Sequence, residues 1–183
     1  MIDLVYAHPY PNRSRANRHL LEAVRDLPEL EVRSLYDLYP EFSIDVEAEQ
    51  AALQRARIVI WMHPLYWYSV PPLLKLWFDK VLAYGWAYGD DSYALRDKLC
   101  LWVTTTGGDA VAFSPQGNHQ RPFADFVPVV EQTARFCQMR WATPFVLHGS
   151  HKIDEPALHA NGDRLRAQLQ ALIAREEEAG RHG

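Results

Sequence analysis

Residues 58–89, I-V-I-W-M-H-P-L-Y-W-Y-S-V-P-P-L-L-K-L-W-F-D-K-V-L-A-Y-G-W-A-Y-G, decide how the chain is read. Ile58-Val59-Ile60 is a short apolar, β-branched run, as expected of a strand buried on both faces of a parallel sheet. It ends at His63-Pro64 in a loop carrying Tyr66, Trp67 and Tyr68 in a row. Pro71 and Pro72 set φ for the start of a helix, where a missing N–H does little harm. Leu73, Leu74, Trp77, Phe78, Val81 and Leu82 follow at i, i+3, i+4 spacing, which gives that helix a heavy apolar face. An aromatic loop at the carboxyl end of a central strand is where an open α/β sheet binds ligands. We read it as one wall of a site for a flat-ring cofactor; plain core or a dimer contact is the alternative that spacing alone leaves open.

Outward from this unit, strands and helices alternate. Residues 2–7 read as the first strand, 8–14 as a turn-rich loop, and a helix from about Arg15 carries Ala16, Leu20, Leu21 and Val24 on one side. A second strand is expected over 30–35, a loop over 36–44 and a short helix over Val46–Arg55. Gly85, Gly89 and Asp90-Asp91-Ser92 break the pattern after the central helix. Residues 99–104 form the fourth strand, and Thr105-Thr106-Gly107-Gly108 the loop at its end. A helix over 126–140, a fifth strand at Phe145-Val146-Leu147 and a closing helix over 156–178 complete the chain, with a frayed tail after Ala179. This alternation predicts an α/β fold, one domain over residues 1–183: a doubly wound, five-stranded parallel sheet of order 2-1-3-4-5 with helices on both faces. The switch point then lies between strands 1 and 3, and the loops after strands 1, 3 and 4 converge on one crevice.

Bulk properties narrow the partners. The formal net charge is −4 with no basic block, which argues against nucleic acid. The two cysteines, Cys100 and Cys137, stand alone and fit a reducing cytoplasm. No apolar run reaches the roughly 20 residues of a membrane span, and the opening reads as a strand rather than a signal peptide. His148 and His151 make an H-x-x-H without an acidic third ligand, so no metal is expected.

The three converging loops carry the chemistry. The first lacks the glycine fingerprints of dinucleotide sites and P-loops. Ser14, however, sits where an N-cap belongs, so that the N–H groups of Arg15, Ala16 and Asn17 face out of a positive helix end suited to a terminal phosphate. Arg13 and Arg15 add charge, and His8 is placed to donate to a phosphate or ribityl chain. The second loop, Pro64, Leu65, Tyr66, Trp67 and Tyr68, offers main-chain groups to the rim of a flavin and rings to its faces. The third, Thr105, Thr106, Gly107 and Gly108, lets the backbone approach closely and aim N–H groups at the pyrimidine end, stabilising negative charge on reduction. FMN is favoured over FAD because the first loop suits a terminal phosphate.

With these motifs in place the chain resembles the flavodoxin-like NAD(P)H:quinone oxidoreductases over nearly its whole length. Tyr6-Ala7-His8-Pro9, Ser34-Leu35-Tyr36, Ile44-Asp45 and Gly85-Trp86-Ala87-Tyr88-Gly89 are similar, more narrowly, to the ancillary subunits of Kef-type, glutathione-regulated potassium efflux antiporters. The resemblance implies a homodimer with one flavin per subunit, NAD(P)H as co-substrate, ping-pong transfer of two electrons to a quinone, and a helix over 71–82 in the dimer contact. It implies a cytoplasmic protein, peripheral to the inner membrane through its antiporter partner. It also implies that Tyr88 reaches into the neighbouring subunit's pocket, with a surface-turn role as its alternative. One departure stands out. Animal-type members carry a Tyr and a His in the run that here reads Phe113-Ser114-Pro115-Gln116-Gly117-Asn118-His119. His119 keeps its register as the catalytic candidate, while Phe113, lacking a hydroxyl, is expected as a wall of the substrate pocket. A flavin-binding regulatory subunit without catalysis and an azo or nitro reductase are the competing readings.

Overall fold

The computed structural model describes residues 1–181. The parallel sheet runs β2-β1-β3-β4-β5, built from β1 (Ile2–Tyr6), β2 (Leu30–Ser34), β3 (Ile58–Pro64), β4 (Leu99–Thr105) and the two-residue β5 (Arg140–Trp141). A further strand, β6 (Phe145–Leu147), also pairs with β4 in parallel. The expected fifth strand is therefore one lane shared by two short pieces. Leu99 and Cys100 pair with Arg140 and Trp141, and Val103 to Thr105 pair with Phe145 to Leu147. Pro144, which has no N–H to give, falls in the gap between them.

Alternation along the strands fills both faces. Ile2, Leu4, Tyr6, Ile58, Ile60, Met62, Leu99, Leu101 and Val103 pack under α1 (Arg15–Glu22) and α6 (Glu155–Arg181), against Leu20, Leu158, Leu165 and Leu169. Val5, Ala7, Val59, Trp61, Cys100 and Trp102 face the other way. There they meet α4 (Pro72–Val81) and α5 (Val127–Phe136), through Leu73, Trp77, Val81, Val130 and Ala134. Because every central position is covered on one side or the other, the strands read as near-continuous apolar runs.

Three stretches differ from the sequence expectation. The second strand stops at Ser34, and α2 (Leu35–Leu38) occupies the start of the expected 36–44 loop. A helix expected over 126–140 begins as a 3-10 turn at Phe123–Phe126 and ends at Phe136, where Cys137 leaves helical geometry and Gln138 turns left-handed (φ 63°) to feed β5. The tail beyond Ala179 is helical as far as Arg181; positions 182 and 183 lie outside the described residues.

On the α4 side, α3 (Val46–Arg55) places a carboxylate where an apolar residue would be expected. Glu49 is fully buried and accepts from Arg33 Nε at 2.9 Å, Tyr39 Oη at 2.5 Å and Trp77 Nε1 at 2.8 Å, with a further bond from Arg33 Nη2. Every buried lone pair that matters here has a donor, which is what makes such a charge tolerable. Among the described residues no helix is long and apolar enough to cross a membrane.

Candidate functional site

The carboxyl ends of β1, β3 and β4 meet at a cleft of about 570 Å³, within the usual size of a small-molecule site. From the first loop it is lined by His8, Tyr10, Arg13, Ser14, Arg15, Ala16 and Asn17. The second gives Pro64, Leu65 and Tyr66, the third Thr105 and Gly107, and the loop after β6 adds Ser150 and His151. The three loops are tied to one another: Ala7 N–H donates to Met62 O (2.9 Å), Leu65 N–H to Thr105 O (2.8 Å), and Asn17 Nδ2 to Thr105 Oγ1 (2.9 Å).

At one end of the cleft is the start of α1. Ser14 caps it, its Oγ accepting from Asn17 N–H at 3.3 Å. Arg15 and Ala16 occupy the first two helical positions, where an N–H has no intrahelical acceptor and points out along the positive end of the dipole. His8 is 9% exposed, and burial pushes its pKa down, so the ring is neutral. Its Nδ1 accepts from Tyr10 N–H at 3.0 Å, which leaves Nε2 as the protonated nitrogen and a donor at the cleft. Arg15 contributes less charge than its place in the sequence suggests: its guanidinium is tied to Glu155 Oε1 (2.5 Å) and to Ile153 O, clamping α1 to the start of α6.

Below this, Asn17 carries an unspent group. Its Nδ2 is used on Thr105, but Oδ1 is buried without a partner among the described residues. An orphaned acceptor in the lining of a cleft is a place for a ligand donor such as a ribityl hydroxyl. Gly107 gives way in a similar manner. A Cβ there would lie 3.0 Å from the exposed His151 ring, so glycine lets backbone and imidazole approach at the cleft wall without the ring having to turn aside. The cleft thus brings N–H donors, an amide side chain and a glycine backbone into one lining.

The second loop turns back in two residues. Tyr66 and Ser69 exchange both main-chain hydrogen bonds (3.1 and 2.9 Å), and the intervening Trp67 and Tyr68 are both left-handed (φ 46° and 62°). Bulky residues in that region are strained by about 1–3 kcal/mol each, a cost seen mainly at functional sites. The turn leaves Trp67 90% exposed and brings Tyr68 Oη within 3.2 Å of His119 Nδ1.

Trp67, Tyr68, Thr106, Gly108, Phe113, His119 and Tyr88 lie outside the cleft lining. Tyr68 and His119 form a half-exposed pair beside it. Phe113 is 7% exposed, its ring stacked on His119 (4.2 Å between centroids) and edge-on to Phe123 (5.6 Å) and Phe126 (6.1 Å). Thr106 turns its hydroxyl toward the loop after β6, and a Cβ on Gly108 would meet His119 Nε2 at 2.8 Å. Tyr88 lines a separate groove between α4 and α5 with Phe78, Leu82, Val129 and Phe136. Ser150 and His151 escaped sequence reading as site residues. From sequence alone the H-x-x-H reads only as a possible metal pair, although a short segment after the last strand of such a sheet is itself a loop at the carboxyl end.

The fold and this cleft define a class. Residues 2–169 match the family described as having a flavodoxin-like fold, and the chain belongs to that family. Within it, the chain is 51% identical over 173 residues to the glutathione-regulated potassium-efflux system ancillary protein KefF of Klebsiella aerogenes, covering 92% of this chain and 94% of that one. The crystal structure of general stress protein 14 from Treponema denticola in complex with FMN superposes with a TM-score of 0.84 at 33% identity, over 94% of this chain and 98% of the other. An NADPH-quinone reductase from P. pentosaceus gives 0.82 at 25% identity, over 91% and 95%. The family resemblance read from the sequence motifs and the five-position sheet order are both borne out.

Proposed function

We propose that the protein is an FMN-dependent NAD(P)H:quinone oxidoreductase that also serves as the ancillary activator of a Kef-type potassium efflux antiporter. The observation that carries the reading is the single cleft lined together by the capped start of α1, by Asn17 with its unpartnered Oδ1, and by Gly107. When bound, the flavin supplies two-electron exchange through N5, with NAD(P)H and quinone taking the same place in turn. The main-chain N–H groups of Arg15 and Ala16 would hold its phosphate, with His8 Nε2 donating beside them, while the Asn17 N–H of the expected trio is spent on the Ser14 cap. Asn17 Oδ1 accepts from the polyol chain. Leu65, Tyr66, Thr105 and Gly107 border the ring, while Trp67, Tyr68, Thr106 and Gly108 set the two loops that flank it. His119, within hydrogen-bond reach of Tyr68 Oη, is the side chain proposed to act beside the flavin, and Phe113 is the apolar support under that imidazole. FMN fits the cleft's single phosphate end better than FAD does.

The relatives' role in potassium efflux and the FMN and quinone-reductase structures support the two halves of this proposal independently. The same reading makes the protein a homodimer that works in the cytoplasm, held at the membrane only through its antiporter. Purified protein is expected to be yellow, to release FMN, and to reduce a quinone with NADH or NADPH. Bound flavin with no turnover on any quinone would overturn the enzyme reading and leave the regulatory one. That remainder is tested by potassium efflux through the antiporter in the presence of a variant that holds FMN but passes no electrons; full activation assigns a structural role to the flavin.

A further inference from the structure

The Gly107-Gly108 loop has no side chain to hold it, and glycine gives up more conformational freedom on ordering than any other residue. Its order comes from the segment after β6. Thr106 N–H donates to Leu147 O, Gly149 N–H to Gly108 O and Ser150 N–H to Thr106 O, each at 2.9 Å. Gly149 takes a left-handed turn (φ 69°) to make its contact. Side chains then add a chain of their own. The Thr106 hydroxyl donates to Gly108 O at 2.7 Å, and His148 Nδ1 lies 2.9 Å from the same hydroxyl oxygen.

Hydrogen counting fixes the direction of that second bond. Thr106 has one hydroxyl proton, already given to Gly108, so His148 Nδ1 must be the donor. Protonation of the ring leaves that donor in place. Donation into the hydroxyl strengthens its bond to the carbonyl beyond it, as in any polarised chain. The Gly108 carbonyl, held by two donors, is committed to the β6 side and is withdrawn from the cleft. His148 is itself held by rings: Phe113 lies 5.3 Å away, tilted, and Phe123 5.3 Å away, edge-on. Phe113 in turn stacks on His119.

We infer that His148 is a positioning residue for flavin binding: through Thr106 it locks the main chain at Gly107 and Gly108 in the form that receives the ring. The inference rests on the FMN reading above, and it assigns a role to a histidine that does not line the cleft. It predicts that His148→Leu, which keeps bulk but not the donor, weakens FMN binding about tenfold, the effect of one preorganising hydrogen bond. Thr106→Val should cause the same loss. The double variant should lose no more than either, because both break a single chain. His148→Asn, with an amide donor at the δ position, should recover most of the affinity. FMN affinity is read by quenching of flavin fluorescence. Hydrogen exchange at Thr106, Gly149 and Ser150 of the flavin-free protein, whose N–H groups tie the two segments together, should quicken in the Leu and Val variants, and the potential of bound FMN should become more negative. The last shift separates positioning from a loss of general stability, since a merely weakened fold lowers affinity without altering the potential of the flavin that remains bound. Native protein that takes up no FMN would sink the cofactor reading and this inference with it. Native protein that binds FMN beside a His148→Leu variant that binds it equally well, or simply additive losses in the double variant, would overturn the inference alone.

Discussion

Asp3 lies in the middle of β1 at 1% exposure, and neither carboxyl oxygen has a partner among the described residues. Burial, then the neighbouring Glu49 charge, pushes its pKa up to about 7. A carboxyl raised in this way favours the folded state fully below its ordinary range, and that contribution is lost as pH rises toward 7. His63 works in the opposite sense. It is fully buried, its Nδ1 donating to Pro64 O (2.9 Å) and its Nε2 accepting from Trp102 Nε1 (2.8 Å), and burial lowers its pKa to about 4. Its contribution is complete above about pH 6.5 and is lost as pH falls toward 4. Each shift corresponds to about 3–4 kcal/mol at most. Between about pH 4 and 6.5 the two slopes oppose, so the native protein's stability should be nearly flat there. Asp3→Asn removes one of them. Urea denaturation should find that variant about 2–4 kcal/mol more stable than the native protein at pH 8, with the gain vanishing near pH 4 and an acid-side loss from His63 exposed. Equal stability of the two proteins at pH 8 would show that Asp3 carries no such penalty.

At the scale of elements, Glu49 joins three of them: α3, which carries it, the β2–α2 segment through Arg33 and Tyr39, and α4 through Trp77. Removing the carboxylate would leave the Tyr39 hydroxyl and the Trp77 indole N–H without an acceptor and a largely buried Arg33 guanidinium with only its 3.3 Å pairing to Glu31. Glu49→Ala is therefore expected to cost about 3–5 kcal/mol in equilibrium unfolding, and a loss below about 1 kcal/mol would mean that water replaces the lost acceptor. Sequence periodicity could not announce this network, because it saw only a charged residue in an amphipathic helix. What it could see was the alternation of apolar strands with helices, and hence the sheet order and the three loops at its carboxyl edge. The split of the last lane follows from Pro144, a residue visible in the sequence whose effect depends on which N–H groups the neighbouring strand needs. The site shows the same division. Ser14 was legible because capping is local, whereas His148 and His151 act on Gly107 and Gly108 across about forty positions of chain, a relation that only the folded sheet creates.

For the whole molecule, the remaining question is what covers the groove between α4 and α5. Lys75, Phe78, Leu82, Tyr88, Val129 and Phe136 line it, and Phe136 and Val129 are each 60% exposed, with Tyr84 nearby at 71%. Tyr84 and Tyr88 meet edge-on at 5.8 Å, and Tyr88 tilts against Phe136 at 4.9 Å, so the exposed rings form a connected surface. A contiguous aromatic patch of this kind is costly in water and marks an association surface. The proposed homodimer places a second copy there, which gives the apolar surplus of α4 a purpose that packing against the sheet does not exhaust. Each chain weighs 21.1 kDa. Sedimentation of the native protein should give about twice that mass, by the two-fold pairing most common in soluble oligomers. Phe136→Lys puts an unpaired charge at the centre of the patch and should shift the equilibrium to the single chain, at little cost to folding because the side chain is already largely exposed. If the native protein sediments as one chain, the homodimer reading falls; if the Lys variant stays paired, the dimer contact lies elsewhere and the groove must be assigned to another partner.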